Sequence, residues 1–443
     1  MQTTIQKEQN GSFIALIPFL VFLVFYLGLS ILANDFYKVP MPIAFIVASA
    51  AAILLNRKIP LTEKVDVYAK GMGDTNIMIM CLVFILAGAF ATVSKGMGAV
   101  NAAVTISRVL IPDSMMVFGI FLVSSFISLA IGTSCGTIAT ITPIAVGLGA
   151  ATGLSTELLI GAVIGGAMFG DNMSMISDTT IAATRTQNVT MRDKFLVNLK
   201  FALPAAVITL VIYLIAGKNQ AAAAVAGAAV TWRDILLVMP YILVLAAALC
   251  GMNVMAVLFG GIIVSGVIGI CMNKFDFWAT LKLTGDGSLG MAETLIVALL
   301  AGGLLSLIRY NGGIKYLIAV VEKCIFSRRA CEFGVALLVT AVNLFTANNT
   351  VAIVIAGPIA NELSRKYDCD PKRIASILDA TSCVIQGVIP YGAQILIAIG
   401  IAKTSELNVS TLHLLGSMYY QMLLAVALIV FIVIGGKKVS TGK

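Results

Sequence analysis

Charged side chains are scarce in this sequence, and most of them stand between long apolar runs. Only 11% of the 443 residues are charged while 59% are hydrophobic, which excludes an ordinary soluble domain. The apolar runs are long enough to cross a bilayer, and no segment between them is long enough for a soluble domain. The sequence therefore predicts an all-α integral membrane protein.

Histidine and paired cysteines are also nearly absent. One histidine and no HExxH pattern exclude a zinc protease, because such a site needs two histidines on one helix. The eight cysteines are scattered singly with no CxxC pair, which favours free, packed thiols. The net charge of +8 is modest and indicates no nucleic-acid partner. The lysines and arginines instead indicate which loops are cytoplasmic, because such loops carry an excess of these residues.

Two pairs of segments recur at nearly the same spacing. CLVFILAGAFATVSKGMGAV at 81–100 is similar to LIVALLAGGLLSLIRYNGGI at 295–314, an offset of 214 residues. GTSCGTIATITPIA at 132–145 is similar to ANNTVAIVIAGPIA at 347–360, an offset of 215 residues. Because chance matches rarely share an offset, the sequence predicts an internal duplication.

The basic residues are distributed oppositely in the two predicted repeats, 1–217 and 218–443. The loop that follows the segment 132–145 has no lysine or arginine, whereas the counterpart of this loop at 365–373 has four. The next loop reverses this pattern, because its first copy has four basic residues and its second copy only Lys403. Those four are Arg185, Arg192, Lys194 and Lys200. A swapped charge bias predicts that the repeats cross the membrane in opposite senses.

About ten spans and two re-entrant hairpins fit the apolar runs, five spans and one hairpin in each repeat. The hairpin at about 115–150 is predicted to enter from outside, because its ends are uncharged or acidic. The hairpin at about 330–363 is predicted to enter from the cytoplasm, because basic residues flank it. Both termini are predicted to be cytoplasmic, and the membrane to be the bacterial plasma membrane. The predicted spans are 12–33, 41–55, 76–93, 156–184, 195–216, 234–251, 254–272, 289–308, 371–402 and 411–436.

Polar residues at both hairpin tips are predicted to face the middle of the membrane. The tips are GTSCG and ANNT, and each precedes a helix whose first N–H groups and positive dipole end would point inward. Their candidate binding side chains are Thr133, Ser134, Asn348, Asn349 and Thr350. The alternative is that these side chains only cap the helices.

Two of the long spans are predicted to break at the same depth as the hairpin tips. One break is GDNMSMISDTT, from Asp171 to Asp178, and the other is QGVIPYGAQ, from Gln386 to Gln394. Irregular backbone is tolerated there only where it lines a cavity or packs in protein. Both breaks are therefore predicted to line one central cavity, with Tyr391 among its candidate binding residues.

Carboxylates inside a membrane are costly unless they are paired, protonated or coordinating a cation. Asp171 and Asp178 are therefore predicted to hold Na⁺. Further oxygen ligands are predicted from Asn172, Ser174, Ser177 and Thr179. The alternative is that one aspartate caps a half-helix, Asp178 being the better placed, and that the other pairs with a basic loop residue. Asp379 is predicted either to line the cavity beside Thr381 and Ser382 or to act as a buried acceptor.

The class of activity follows from these features. Ser134 lies in a G-x-S-x-G pattern, but a serine hydrolase needs a base, and the only histidine, His413, is predicted near the outer surface. An enzyme is therefore not expected. Inverted repeats with paired broken helices favour a carrier that works by alternating access over a channel. No cofactor is expected beyond Na⁺ or H⁺ as coupling ion.

GDNMSMISDTT resembles the GDxxSPLSDTT signature of the NhaC-type sodium/proton antiporters, with Asn172 in place of a frequent lysine and Met175 in place of proline. The resemblance implies an elevator-like carrier, a homodimer with spans near 12–55 and 234–272 as scaffold. It also implies coupling to Na⁺ or H⁺ through Asp171, Ser174, Ser177, Asp178 and Thr179. Na⁺/H⁺ antiport is the expected activity. The alternative is Na⁺- or H⁺-coupled transport of amino acids or carboxylates on the same scaffold.

Overall fold

The computed structural model describes residues 11–32, 39–57, 59–110, 112–175, 177–220, 230–250, 252–323 and 325–435. These ranges form α-helices, with two short 3-10 turns and no strand. The predicted cytoplasmic termini, 1–10 and 436–443, lie outside the described residues, as do residue 33 and Cys324.

The helices fall into two runs along the chain. The first run is α1 (Ile17–Leu32), α2 (Met41–Leu54), α3 (Leu61–Met72), α4 (Thr75–Met97), α5 (Ala99–Leu110), α6 (Met116–Ile131), α7 (Ser134–Thr152), α8 (Thr156–Met173), α9 (Asp178–Gln187) and α10 (Met191–Gln220). The second run is α11 (Trp232–Leu249), α12 (Val254–Cys271), α13 (Phe277–Gly290), α14 (Ala292–Tyr310), α15 (Gly313–Lys323), α16 (Arg328–Thr346), α17 (Asn349–Lys366), α18 (Pro371–Val388), α19 (Ala393–Thr404), α20 (Thr411–Gly416) and α21 (Tyr419–Ile434).

The helices have the length and composition of membrane spans. Eight helical segments of the described chain, 18 to 34 residues long, are apolar enough to cross a bilayer, and four shorter apolar helices accompany them. The predicted class, an all-α integral membrane protein, is therefore confirmed. The seven cysteines in the described ranges are free; five are buried or partly buried, and Cys250 and Cys271 are exposed rather than packed as predicted.

The order of the helices recurs. Helices α1 to α9 correspond, in the same order along the chain, to helices α11 to α19. Each helix of the second set starts about 215 residues after its counterpart in the first. The turns recur as well, since Gly98 and Gly312 both have positive φ, at 92° and 84°. The two hairpin tips likewise use the left-handed region, with Gly132 at φ 74° and Ala347 at φ 48°. These correspondences agree with the predicted duplication.

Two polar contacts join the ends of the broken helices. Lys372, at the start of α18, pairs with Asp193, just beyond the end of α9, at 2.7 Å between Nζ and Oδ1. Glu157, at the start of α8, accepts a hydrogen bond of 3.3 Å from the backbone N–H of Ser410, beyond the end of α19. The start of each broken helix therefore lies beside the end of the other, so the two run in opposite directions. Inverted repeats require this arrangement, and their boundary at 217 and 218 stays a prediction.

Helices α3, α5, α13 and α15 lie between the predicted spans, in segments for which the sequence analysis gives no element. They are short and carry polar residues or glycines, so mean hydropathy does not reveal them. They nevertheless pack closely on the spans. A Cβ at Gly71 of α3 would lie 2.5 Å from the carbonyl oxygen of Gly302 in α14.

Glycines bring the first hairpin against the first broken helix. A Cβ at Gly166 of α8 would lie 2.4 Å from the carbonyl oxygen of Phe121 in α6, and one at Gly170 would lie 2.4 Å from that of Ser125. Glycines four residues apart allow two helix backbones to approach this closely. Ser128 adds a hydrogen bond of 2.5 Å to the carbonyl of Ala167. The hairpin and the break are thereby held together at the site.

Candidate ion and substrate site

Both halves of the chain contribute to a cavity of about 350 Å³. Four helices begin at its wall, namely α7 and α17 after the hairpin tips and α9 and α19 after the breaks. The polar residues that line it are Thr133, Ser134, Asp171, Ser177, Asp178, Thr179, Asn253, Asn348, Asn349, Thr350, Gln386 and Gln394. The apolar part of the wall includes Ile79, Met80 and Val83 of α4.

Asp171 lies at the floor of this cavity and is only 3% exposed. Ser134, from the first hairpin tip, donates a hydrogen bond of 2.9 Å to its Oδ2, and Ser177, from the break, donates to its Oδ1. Ser177 is also 2.9 Å from the hydroxyl of Thr179. The carboxylate is thus fixed between the two elements that the glycines of α8 hold together.

The non-helical segment between α8 and α9 is shorter than the sequence predicts. Helix α8 continues to Met173, so Asp171 lies in its last turn rather than in an unwound loop. Asp178 is the first residue of α9, one position after the N-cap Ser177, and its side chain is exposed. Both carboxylates line the cavity, but Asp171 alone is buried there.

A chain of hydrogen bonds links the second break to Asp171. Gln386 donates to the side-chain oxygen of Gln394 at 2.8 Å and to the carbonyl of Ala347 at 2.9 Å. Gln394 in turn donates to the hydroxyl of Ser134 at 3.1 Å, and Ser134 donates to Asp171. Along the series Gln386, Gln394 and Ser134, each donor points its proton toward the next member and so toward the carboxylate of Asp171. Residues from both halves therefore act on one acid.

Three of the four helix N-termini at the cavity lack a side-chain cap. Thr133, Ser177 and Gly392 stand at N-cap positions, and none makes a capping hydrogen bond through its side chain. The alternative role of Thr133 and Ser134, as caps only, is therefore not seen, and Ser134 directs its hydroxyl to Asp171 instead. The fourth terminus is capped, since Asn348 accepts from the N–H of Val351 at 3.0 Å.

Two polar atoms at the cavity wall have no hydrogen-bond partner within the described chain. They are the side-chain nitrogen of Asn349, a residue that is 8% exposed as a whole, and the side-chain oxygen of Gln386. The oxygen of Asn349 accepts from the N–H of Thr350 at 3.1 Å, which fixes the orientation of the amide. An unused buried donor and a buried acceptor at one wall are available to a ligand.

Four predicted site residues are absent from the cavity wall, namely Asn172, Ser174, Asp379 and Tyr391. The side chain of Asn172 turns away and accepts from Asn198 at 2.5 Å. Ser174 is 1% exposed and ends α8, and its carbonyl accepts from Thr180. Tyr391 points into a cluster of phenylalanines and donates to the carbonyl of Leu344 at 2.7 Å. The helical backbone of α8 and the aromatic cluster decide these orientations, and sequence spacing shows neither.

Asp379 does not line the cavity but is the acid of a buried ion pair. Its Oδ2 lies 2.5 Å from Nζ of Lys194, and the two side chains are 0% and 1% exposed. Lys194 is therefore not a cytoplasmic loop charge, and that prediction is wrong. The neighbouring Arg192 and Lys200 mask it in the sequence, although Lys194 and Asn198 are four residues apart and therefore share one face of α10.

Apolar helices that enclose a polar cavity with a buried carboxylate are typical of membrane transport proteins, and the similar proteins identify a secondary transporter. The chain belongs to the Na⁺/H⁺ antiporter family, whose model matches residues 11–218 and 220–436. This family is one of antiporters rather than enzymes, and the predicted NhaC-type resemblance is confirmed.

Characterised relatives differ in what their names say they carry. The malate-2H⁺/Na⁺-lactate antiporter of Bacillus subtilis is 23% identical over 91% of both chains. The Na⁺/H⁺ antiporter NhaC of the same organism is 26% identical over 80% of this chain and 84% of its own. The arginine/ornithine antiporter ArcD of Halobacterium salinarum is 24% identical over 66% of each.

Two solved transporter structures are also similar to this chain. MtrF of Neisseria gonorrhoeae has a TM-score of 0.41 at 11% identity and covers 94% of each chain. YdaH of Alcanivorax borkumensis has a TM-score of 0.40 at 15% identity, over 79% of this chain and 84% of its own.

Proposed function

We propose that this protein is a Na⁺/H⁺ antiporter of the plasma membrane that works by alternating access. The observation that carries this is Asp171, a buried carboxylate held by Ser134 and Ser177 where the two halves meet. A carboxylate in such a place binds either a proton or a hard cation, so the two ions compete for it. Competition at one site leads to exchange across the membrane when the site is open alternately to the two sides, because each ion leaves when the other binds.

Oxygen atoms around Asp171 support the choice of Na⁺. The hydroxyls of Ser134, Ser177 and Thr179 lie beside the carboxylate and are small, neutral ligands of the kind that hard cations prefer. Asp178 contributes a second carboxylate at the exposed side of the cavity. We propose that Asp171 and Asp178 hold Na⁺, with Asp171 as the site of exchange.

The antiparallel broken helices support alternating access. Opposed repeats that meet at a midplane cavity open toward one face or the other by equivalent movements. The pairs Lys372–Asp193 and Glu157–Ser410 stand at opposite ends of this arrangement. We propose that single-cysteine labels at 185 and 365 react from the same side of the membrane, the side predicted to be cytoplasmic.

A second candidate function is coupled transport of a small organic carboxylate or amino acid. The cavity, at about 350 Å³, lies within the range of small-molecule sites and far exceeds the volume of Na⁺. Three uncapped helix N-termini and the free nitrogen of Asn349 offer donors and positive dipole ends to a carboxylate. The names of two relatives, which include malate, lactate, arginine and ornithine, agree with such a cargo.

Transport in vesicles made from the purified protein and lipid tests both candidates. A pH-sensitive dye inside the vesicles reports proton movement when Na⁺ is added outside. Proton movement without any organic solute supports antiport. Movement that requires an amino acid or a dicarboxylate from a panel supports the second candidate. Vesicles that show neither response contradict the proposed function.

The Asn349→Asp variant replaces one atom at the cavity wall and is expected to affect the two candidate functions differently. The aspartate keeps the oxygen that accepts from Thr350 and replaces the free nitrogen by a charged oxygen. We expect uptake of a carboxylate solute to fall by about tenfold or more, since a donor becomes a repelling charge. Exchange of Na⁺ for H⁺ is expected to continue. Equal solute uptake by the variant and the parent protein, measured with radiolabelled substrate, would rule Asn349 out as a carboxylate ligand.

The Gln394→Leu variant tests the hydrogen-bond chain. Leucine removes the donor to Ser134 and the acceptor of Gln386, so Asp171 loses its link to the second half. We expect the transport rate to fall by about tenfold, with folded protein still recovered. Gln421→Leu is the matched control, because Gln421 is 1% exposed and neither of its side-chain atoms has a partner among the described residues. Equal rates in both variants would contradict a role for the chain.

A further inference from the structure

Lys194 carries a positive charge in the interior of the protein, where it is 1% exposed. It lies near the start of α10, and its ammonium group makes three contacts on three other helices. It donates to the carbonyl of Asn172 in the last turn of α8 and, at 2.8 Å, to the hydroxyl of Thr180 in the first turn of α9. Its third contact is the ion pair of 2.5 Å with Asp379 of α18.

These contacts place the ammonium group across the break between α8 and α9. Lys194 contacts both sides of the break but is not among the residues at the cavity wall. Asn198, one turn further along α10, donates to the side chain of Asn172 at 2.5 Å and to its carbonyl at 3.1 Å. Asn172 directly follows Asp171, so this pair of side chains fixes the backbone that aims the acid.

Lys194 and its neighbours Asn198, Asn172, Thr180 and Asp379 form one buried polar cluster. The electrostatics of this cluster favour the position of the ammonium group at the break. A cation near the last carbonyls of a helix is stabilised by the negative end of its dipole, and α8 ends here. A buried ammonium group also needs a counterion, and Asp379 supplies one from the second half. The cluster therefore ties the first broken helix to α18, which leads to the second break.

We propose that Lys194 is a positioning residue for the cation site at Asp171. It holds the α8–α9 break in the geometry in which Asp171, Ser134 and Ser177 converge, and Asp379 serves as its fixed counterion. This inference rests on the proposed function, because it assigns a supporting role at the same site. A merely structural ion pair would stabilise the fold but would leave the affinity for Na⁺ unchanged.

The chain offers a matched pair of neutral double variants. Lys194→Met with Asp379→Asn removes both charges together, so neither is left buried and alone. Arg373→Met with Glu332→Gln does the same at another buried ion pair, 2.7 Å long, between α16 and α18. That pair touches neither break. The measurement is the Na⁺ concentration that gives half of the Na⁺-induced rise in unfolding temperature in detergent, with choline as the replacing cation.

We expect the Na⁺ midpoint to rise by about tenfold or more in the Lys194 and Asp379 double variant, as for lost supporting contacts at metal sites. The Arg373 and Glu332 double variant is expected to keep the midpoint of the parent protein. A parental midpoint in both double variants overturns the positioning role alone. Absence of any Na⁺ response in the parent protein, together with absence of transport in vesicles, overturns the proposed function and this inference with it.

A third variant keeps the test decisive if the first double variant does not fold. Thr180→Val is nearly the same size and removes both hydrogen bonds of the Thr180 hydroxyl, the one from Lys194 and the one to the carbonyl of Ser174, while the ion pair of Lys194 with Asp379 remains. We expect a smaller rise of about threefold in the Na⁺ midpoint, since two hydrogen bonds at the break are lost but the buried charges stay paired. An unchanged midpoint in this variant also counts against the positioning role.

Discussion

Replacing Asp171 by asparagine is expected to abolish transport while leaving the protein folded. Asparagine has the same shape and can still accept from Ser134 or Ser177, so the packing around it survives. It cannot release a proton or neutralise a cation, so exchange at this position stops. We expect a loss of more than about a hundredfold, beyond the 10- to 100-fold that supporting residues of a metal site cost.

The measurement is Na⁺-driven proton movement in vesicles that contain equal amounts of monodisperse protein. Asp178→Asn is the control, because Asp178 also lines the cavity but has an exposed side chain. We expect that variant to keep transport and to need about threefold more Na⁺, as for a weakly held exposed charge. Retained turnover in Asp171→Asn would remove Asp171 from the mechanism.

Replacing Gly170 by leucine is expected to prevent folding of the first hairpin onto α8. Even the first carbon of the side chain would lie 2.4 Å from the carbonyl oxygen of Ser125 and 2.5 Å from the backbone nitrogen of Leu129. Backbone atoms of α6 cannot move aside without moving the helix, so α6 and α8 must separate. We expect a loss of more than about 4 kcal/mol, the size typical of severe steric changes in a core.

Gly260→Leu is the matched control for this variant. Gly260 also lies within an apolar helix, α12, but a Cβ there would meet no atom within 4 Å. The yield of monodisperse protein in detergent and its unfolding temperature distinguish the two variants. A Gly170 variant that is as stable as the Gly260 variant would show that the close contact between α6 and α8 is unnecessary.

The apolar composition and the polar interruptions made much of the architecture predictable. Runs of apolar residues fix helices in a membrane, because every backbone group must be satisfied within the segment. Gly387, Pro390 and the polar run after Asp171 mark the two breaks, since each weakens a helix in a known way. The structure places breaks at both, after Met173 and after Val388.

The details of the site depend on orientations that the sequence does not encode locally. Asn172 and Ser174 have the chemistry of ion ligands, but the last turn of α8 turns them away from the cavity. Lys194 stands between basic neighbours, and only packing against Asn172 and Asp379 shows that it is buried. Such choices follow from contacts between distant segments. The predicted homodimer and the orientation of the termini stay predictions.

The close packing of α8 against α6 has a consequence for the proposed transport cycle. Ser134 and Ser177, which hold Asp171, belong to elements joined through backbone contact, so the ligands of a bound ion travel together. A site that keeps its geometry while it is exposed first to one compartment and then to the other binds its ion equally well in both. The ion gradients and the voltage set the direction of net flux in any such carrier, and equal affinity on the two sides means that reversing them gives flux of similar rate in the other direction.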